Sequence, residues 1–332
     1  MKINQHARLS VAPMMDWTDR HCRAFHRVLS QEVLLYTEMV TASALVRGGA
    51  RHLLAFNASE HPVAVQLGGS DQAELAAATA MAVDEGYDEV NLNVGCPSDR
   101  VQSGCFGAVL MRQPDLVADC VTAMQSRAGV VPVTVKCRIG VDEQHPQDVL
   151  PHFLQTTAAA GVTRVTIHAR KAWLDGLSPK ENRDVPPLDY PLVHDMARRF
   201  PDLHLSINGG ITSLDQVDTH LQYMDGVMVG RAAYHTPADV LLTADQRVFG
   251  VDRPPLSPFE AVEQMRPYIA DHLQAGGRLN QITRHMLGLF AGRPGARGWR
   301  RTLSEGAHRP GAGLEVVEAG LDQVIAVIHA AE

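Results

Sequence analysis

From residue 9 to about residue 230, short β-branched runs alternate with longer amphipathic stretches. Eight runs read as strands: Leu9 to Pro13, Val33 to Thr37, Val63 to Leu67, Glu89 to Asn93, Val133 to Lys136, Arg164 to His168, His204 to Asn208 and Gly226 to Val229. Most are nearly continuous apolar runs, the pattern of parallel strands covered by helices on their outer face. Helical periodicity lies between them, in Gln72 to Asp84, Asp115 to Arg127, Asp148 to Ala160 and Leu192 to Phe200. Alternating strands and helices are βα units, and eight of them predict a closed (β/α)8 TIM barrel, an α/β fold. A doubly wound sheet usually has fewer strands, and no GxGxxG turn follows any strand here.

After Arg231 the strand pattern stops. Arg253 to Pro258 is a proline-rich linker, and Phe259 to Glu332 reads as helices broken at Gly276-Gly277, Pro294-Gly295 and Pro310-Gly311. The expected division is a catalytic barrel over 1–250 and an all-helical C-terminal domain over 251–332. The chain's 332 residues suit one large and one small unit, since single cores stop growing near roughly 250 to 300 residues. No apolar run reaches the roughly 18 residues of a membrane span. The start, Met-Lys-Ile-Asn-Gln-His, has no apolar signal-peptide core, so a cytoplasmic location is expected.

Five cysteines, an odd set without a CxxC pair, argue against a disulfide framework and a zinc knuckle. The formal charge of −7 taken alone speaks against a polyanionic partner. It conceals a segregation. Between Arg278 and Arg309 stand seven arginines and one acid, Glu305, a local +6 that leaves −13 on the rest of the chain.

In such a barrel the chemistry sits at the carboxyl ends of the strands. Those positions are Ala12-Pro13-Met14, Glu38, Gln66, Asn91 and Asn93, Lys136, His168, Asn208-Gly209-Gly210, and Gly230-Arg231. Strand ends meet water and are often polar, but eight in register point to a site. The glycines of "SINGGI" and "VMVGRA" let backbone N–H groups approach an anion, and the helix after strand eight adds its positive end. Lys136 can place a fixed charge near N1 and O2 of a flavin. His168 can donate to a phosphate or the flavin edge, or serve only as a hydrogen-bonded core residue. The loop "NLNVGCPSDRVQSGCFGAVL" carries Cys96 between Gly95 and Pro97, where a thiol can be held over the barrel mouth, and Cys105 in the same loop is its only rival.

The stretches "APMMDWTDRHCR", "NLNVGCPSDRVQSG", "HARKAWLDGLSPKENRDVPPLDY", "SINGGI", "MDGVMVGRAAY" and "ITRHMLGLFAGRPGARGWRRTLSE" resemble the tRNA-dihydrouridine synthases, most closely the A-type bacterial enzymes that act on positions 20 and 20a of the D-loop. The resemblance covers nearly the whole chain. It implies an FMN-containing barrel that reduces the C5=C6 bond of uridine in tRNA, with NADPH as donor. It also implies that Ala12, Pro13 and Met14 line the flavin ring, that Gln66 meets its pyrimidine edge, and that Lys136 lies near N1. His168, Asn208, Gly209, Gly210, Gly230 and Arg231 would hold the ribityl chain and phosphate. Cys96 matches the family's general acid, and Asn93 would hold the uracil edge. Lys180 and Arg183 in "SPKENR", with Arg297 and Arg300 in "GARGWRR", look like tRNA contacts. Cys105 departs from the pattern, as a spectator or as a second thiol that makes labelling ambiguous.

The implied reaction is hydride transfer from FMN N5 to C6, followed by proton transfer to C5 from the opposite face. A free thiol, with a pKa near roughly 8.5, is mostly protonated at neutral pH and suits the second step. No metal is needed. NADPH has no Rossmann motif to bind and is expected to visit the flavin face transiently. The arginine block would hold phosphates while the target base is extruded into the pocket. Three other readings stay open: an FMN reductase of a free pyrimidine, a non-catalytic RNA-binding barrel, and an aldolase or isomerase in which Lys136 forms a Schiff base.

Overall fold

The computed structural model describes residues 2–98 and 106–330. Eight parallel strands, β1 (Leu9–Val11), β2 (Leu34–Thr41), β3 (Val63–Gly68), β4 (Glu89–Val94), β5 (Val133–Arg138), β6 (Arg164–His168), β7 (His204–Asn208) and β8 (Gly226–Val229), close into a barrel in chain order. β1 pairs with β8 through Leu9 opposite Val227 and Val11 opposite Val229, which shuts the ring. Helices Gln72–Glu85, Pro114–Ala128, Pro146–Ala159, Tyr190–Arg199 and Leu214–Leu221 cover its outside, as their amphipathic periodicity predicts.

The strands differ from the expected continuous apolar runs in an informative way. Val63, Val65 and Leu67 of β3, Val90, Leu92 and Val94 of β4, and Val133, Val135 and Cys137 of β5 join the large core beneath the helices. The alternate residues point inward, and many are polar. Ala64, Tyr36, Leu34 and Met228 form a small apolar cluster inside the ring. Beside it the Tyr36 hydroxyl donates to Glu89 at 2.6 Å, and Glu89 also accepts from Thr134 and pairs with Arg164. Arg164 in turn donates to Asn4 Oδ1 at 2.8 Å on the N-terminal helix that closes the floor. A buried charge pair is costly unless further hydrogen bonds support it, and here Glu89 Oε1 accepts from Tyr36 and Thr134 while Arg164 Nη1 donates to Asn4.

Strand ends also shift relative to the sequence reading. β2 continues past Thr37 to Thr41, with a bulge between Tyr36 and Met39, so Glu38 lies within the strand. β5 runs on past Lys136 to Arg138, which brings a second inward cation to the mouth.

Beyond β8 come the short helices Arg231–His235, Pro237–Leu241 and Ala244–Phe249, then the four longer ones Pro258–Gln274, Leu279–Met286, Ala296–Gly306 and Leu314–His329. Their breaks fall at the Gly-Gly and Pro-Gly pairs. Trp299 is fully buried among them, donating its indole N–H to the Met286 carbonyl at 3.0 Å and meeting Phe290 edge-on. Their apolar residues are continuous with the outer core of the barrel. Docking onto the barrel has a polar clasp as well. Asp19 caps the helix Arg20–Leu29 through the His21 and Cys22 N–H groups and pairs with Arg284 at 2.6 Å and His285 at 3.0 Å. Burial alone would raise the Asp19 pKa, but His285, the Cys22 N–H and Arg284 outweigh it and hold the carboxylate well below its usual range.

No helix among the described residues is long and apolar enough to cross a membrane.

Candidate active site

The mouth of the barrel gathers most of the residues singled out from the sequence. On one wall, Gln66 of β3 donates to Asn91 Oδ1 at 2.8 Å, and Asn93 Nδ2 donates to Gln66 Oε1 at 2.7 Å. These amides are buried, so each hydrogen bond replaces one lost to water, and the row is rigid for that reason. Asn93 Oδ1 then accepts the N–H groups of Gly95 at 3.1 Å and Cys96 at 2.9 Å. The Cys96 carbonyl accepts from the Ala108 N–H at 2.9 Å. The thiol itself is half-buried, and Cys22, Cys120 and Cys137 are buried. Cys105 lies outside the described residues.

Beside this wall, from the adjacent strand β5 onward, stand the cations, Lys136 lying in register with Asn93. Lys136 has no ion-pair partner among the described residues; burial, with Arg138 adding, pushes it down to about 8. Arg138, buried at 4% exposure, donates to the carbonyls of Gly95 at 3.2 Å, Lys171 at 3.2 Å and Asn182 at 2.9 Å. Asn182 is buried too, and its amide donates to the Trp173 and Leu177 carbonyls, organising the loop after β6. Arg170 donates to the carbonyls of Asp184 and Pro186, while its Nε is buried with no hydrogen-bond partner among the described residues. Arg231 pairs with Asp184 at 2.7 Å. Burial, reinforced by Arg138, Lys136, Arg170 and Arg183, drives His168 well below its ordinary pKa and keeps it neutral.

The glycines of the β7 loop are compact for a physical reason. Gly209 and Gly210 have φ of 110° and 72°, a region that disfavours any Cβ. A Cβ on Gly209 would lie 2.7 Å from His168 Cδ2, and one on Gly210 would lie 2.6 Å from Leu188 Cδ1 and 2.8 Å from the Tyr190 hydroxyl. Tyr190 donates to the Gly209 carbonyl at 2.7 Å, and Asn208 Nδ2 donates to the Met228 carbonyl at 2.8 Å. Gly230 faces Ala12 and Met14, at 3.8 and 3.9 Å from its would-be Cβ, so the β8 and β1 motifs meet. Pro13 lies between those two residues in the same turn. The helix after β8 spans only Arg231–His235, so the anion-attracting character here comes from side chains and individual N–H groups more than from a long dipole.

These residues fit a bound anion with an attached ring system. An unpartnered buried guanidinium N–H, a neutral imidazole, an unpaired lysine and the compact glycine turn after β7 are the chemistry of a phosphate and flavin seat. Arg138 and Arg170 escaped the sequence reading, although the inward alternation along β5 would have flagged Arg138.

Lys180 and Arg183 sit at the exposed turn Glu181–Arg183, and Arg183 lies within Coulombic reach of Arg231, Asp184 and the Cys96 position. The arginine block divides. Arg284 and Arg293 are tied to Asp19 and Asp239, whereas Arg297 and Arg300 form an exposed face of the helix Ala296–Gly306 without an ion pair among the described residues. Arg278 and Arg309 line two adjoining clefts of about 550 and 470 Å³ that share Gly277 and Arg278.

Comparison with known proteins decides the family. The family model described as dihydrouridine synthase (Dus) matches residues 10–325. The chain belongs to the dihydrouridine synthase family. It is therefore an enzyme, and an oxidoreductase. Among curated dihydrouridine synthases, the tRNA-dihydrouridine(20/20a) synthase of Shewanella oneidensis is 58% identical over 95% of this chain and 93% of its own. That of Vibrio cholerae is 56% identical over 96% of both chains. That of Escherichia coli is 55% identical over 97% of this chain and 93% of its own. Among solved structures, an old yellow enzyme homologue from Zymomonas mobilis superposes with a TM-score of 0.52 at 12% identity, covering 76% of this chain and 91% of its own. Morphinone reductase gives 0.52 at 11% identity, covering 77% and 91%. At these identities the likeness concerns the barrel of the dihydrouridine synthase alone.

Proposed function

We propose that this dihydrouridine synthase reduces the C5=C6 bond of uridine at positions 20 and 20a of the tRNA D-loop, using bound FMN and NADPH as reductant. The relatives that carry this specificity in their names are similar over nearly their whole length, which supports the same substrate here. The observation that carries the chemical reading is the Cys96 loop, pinned by Asn93 and Arg138 beside an unpaired lysine.

The chemistry FMN supplies when bound is hydride transfer to C6 of uracil. Ala12, Pro13 and Met14 would line its ring, Gln66 its pyrimidine edge and Lys136 its N1 side. His168, Asn208, Gly209, Gly210, Gly230 and Arg231 would hold the ribityl phosphate, with Arg170 adding a free donor. Cys96 gives its Sγ proton to C5 and takes one back from solvent. Lys136 and Arg138 lie within Coulombic reach of the thiolate left behind. A positioned general acid of this kind contributes on the order of 10² to 10⁴ in rate.

Asn93 has its carbonyl oxygen committed to the loop and one amide hydrogen to Gln66. Its remaining hydrogen would meet the uracil edge. Lys180, Arg183, Arg297 and Arg300 would contact tRNA phosphates. In this reading residues 1–250 are the catalytic barrel and 251–332 the tRNA-binding helices, and the enzyme works in the cytoplasm where tRNA is processed.

Mass mapping of dihydrouridine in tRNA from cells lacking and re-expressing the protein tests the reaction and locates the base. Loss and return of dihydrouridine at 20 and 20a is expected. Unchanged dihydrouridine there, or turnover of free uracil by the purified protein at a rate matching tRNA, would overturn the proposal.

A further inference from the structure

The peptide unit joining Gly95 to Cys96 is held at both poles. Its N–H, on Cys96, donates to Asn93 Oδ1 at 2.9 Å, and its carbonyl, on Gly95, accepts from Arg138 Nε at 3.2 Å. The same guanidinium turns through Nη1 to the carbonyls of Lys171 and Asn182 in the loop after the neighbouring strand β6. Asn182 is the buried centre of the loop that ends in Lys180 to Arg183. Arg138 therefore spans two loops that share no strand pairing among the described residues, and it does so from inside the barrel, where it is almost fully buried.

We propose that Arg138 is a positioning residue that locks the Cys96 loop to the 171–183 loop, so that the thiol and the cationic edge formed by Lys180 and Arg183 are set as one rigid unit. The inference rests on Cys96 being the proton donor and Lys180 and Arg183 meeting RNA. The physical reason for an arginine is shape. Its planar fork offers donors in several fixed directions, whereas a lysine ammonium is a single point on a flexible stem and cannot reach carbonyls on both loops together. A cation alone would satisfy the electrostatics of the mouth, where Lys136 and Arg183 already stand. Three carbonyls converging on one guanidinium serve geometry instead. Displacing a reacting group by about 1 Å can cost on the order of 10²-fold in rate, so an arginine that holds the loop this way has a catalytic consequence through the placement of Cys96.

The test uses Arg138→Lys in the full chain carrying Cys105→Ser, so that Cys96 is the one thiol of the set that is not buried by its surroundings among the described cysteines. Three readouts are taken on protein with its flavin bound: alkylation of Cys96 by iodoacetamide, tryptic cleavage after Lys180 and Arg183, and single-turnover dihydrouridine formation on tRNA. The expected result is that alkylation and cleavage at those two sites both accelerate by roughly threefold or more, while the single-turnover rate at saturating tRNA falls by about 10²-fold with its half-saturating tRNA concentration changed little, as for an interaction that matters only in the transition state. FMN content and reduction of the flavin by NADPH should stay within about twofold of the parent.

If alkylation and loop cleavage are unchanged, or only one of them moves, the two loops are not joined through Arg138 and the proposal fails. If tryptic sites open throughout the chain and flavin is lost, Arg138 is a folding residue and the proposal fails equally. A wild-type single-turnover rate in the lysine variant would show that charge suffices. Alkylation and cleavage need no dihydrouridine synthesis, so they report on the lock even if the proposed reaction is wrong. Failure of the wild type to form dihydrouridine condemns only that reaction.

Discussion

Asn93 and Cys96 are joined by one hydrogen bond, 2.9 Å from the cysteine N–H to the asparagine Oδ1. Because Asn93 also donates to Gln66, the site that would hold the flavin edge and the loop that carries the thiol share a single amide. Asn93→Ala should therefore release both. We expect flavin reduction by NADPH to change by less than about tenfold and tRNA reduction to fall by about 10²-fold, the loss expected from a misplaced general acid. Stopped-flow traces of the two half-reactions check this, and an equal loss in both would assign Asn93 to the fold.

Cys96→Ala should leave flavin reduction intact and suppress dihydrouridine formation by at least about 10²-fold. Cys105→Ala should retain most activity. If the two variants behave the other way round, the proton donor is misassigned.

Lys136 is depressed to about 8 by burial, with Arg138 reinforcing it. Its charge is present below that pH and lost above it, so flavin reduction in the wild type should slow as pH rises from about 7 toward 9, roughly one unit either side of that value. Lys136→Arg, charged throughout, should remove this dependence, and Lys136→Met should be slow at every pH. The stability sign is opposite to that of a salt-bridged lysine. The flavin-free fold disfavours the charged form, so its stability should rise as pH climbs from about 8 to 10.5, where the unfolded chain binds more protons. Urea midpoints across that window give the measurement, and a fall would contradict it.

Gly209→Ala tests the phosphate seat. Its Cβ would meet the His168 ring at 2.7 Å in a backbone region with φ of 110°. The variant should purify with little flavin, read from its absorbance, while the helices beyond residue 250 keep their melting behaviour. Full flavin content would mean that the seat lies elsewhere.

The double variant Arg297→Ala with Arg300→Ala should raise KM for tRNA and flatten its salt dependence by about one unit of log–log slope per lost phosphate contact. NADPH oxidation by the flavin should be unchanged. Equal slopes would make these arginines a solvated face and direct attention to Arg278 and Arg309 at the two clefts.

The barrel and its strand order are legible in the chain alone. β-branched runs spaced by amphipathic stretches have one compact solution when there are eight of them, and β6, β7 and β8 fall on the residues expected because their ends are marked by His168, Asn208 and the Gly226–Val229 run. The chain alone also marks Cys96, Lys136 and the glycine pairs, since polar residues at the ends of apolar strands are conspicuous one at a time. What it could not display is which groups meet across the mouth. Arg138 reads as one more charge in "VTVKCRIG", and Arg170 as one more after "IHA". Alternation along β5 points Arg138 inward, but only closure of the ring brings its fork to carbonyls from Gly95, Lys171 and Asn182. The division of the arginine block is likewise tertiary. A run of like charges predicts a surface, but whether Arg284 is free depends on Asp19, which the fold delivers from the other end of the chain. Periodicity is a local property and survives in one dimension, whereas hydrogen-bond satisfaction and charge pairing are fixed by distances between segments that no spacing along the chain encodes.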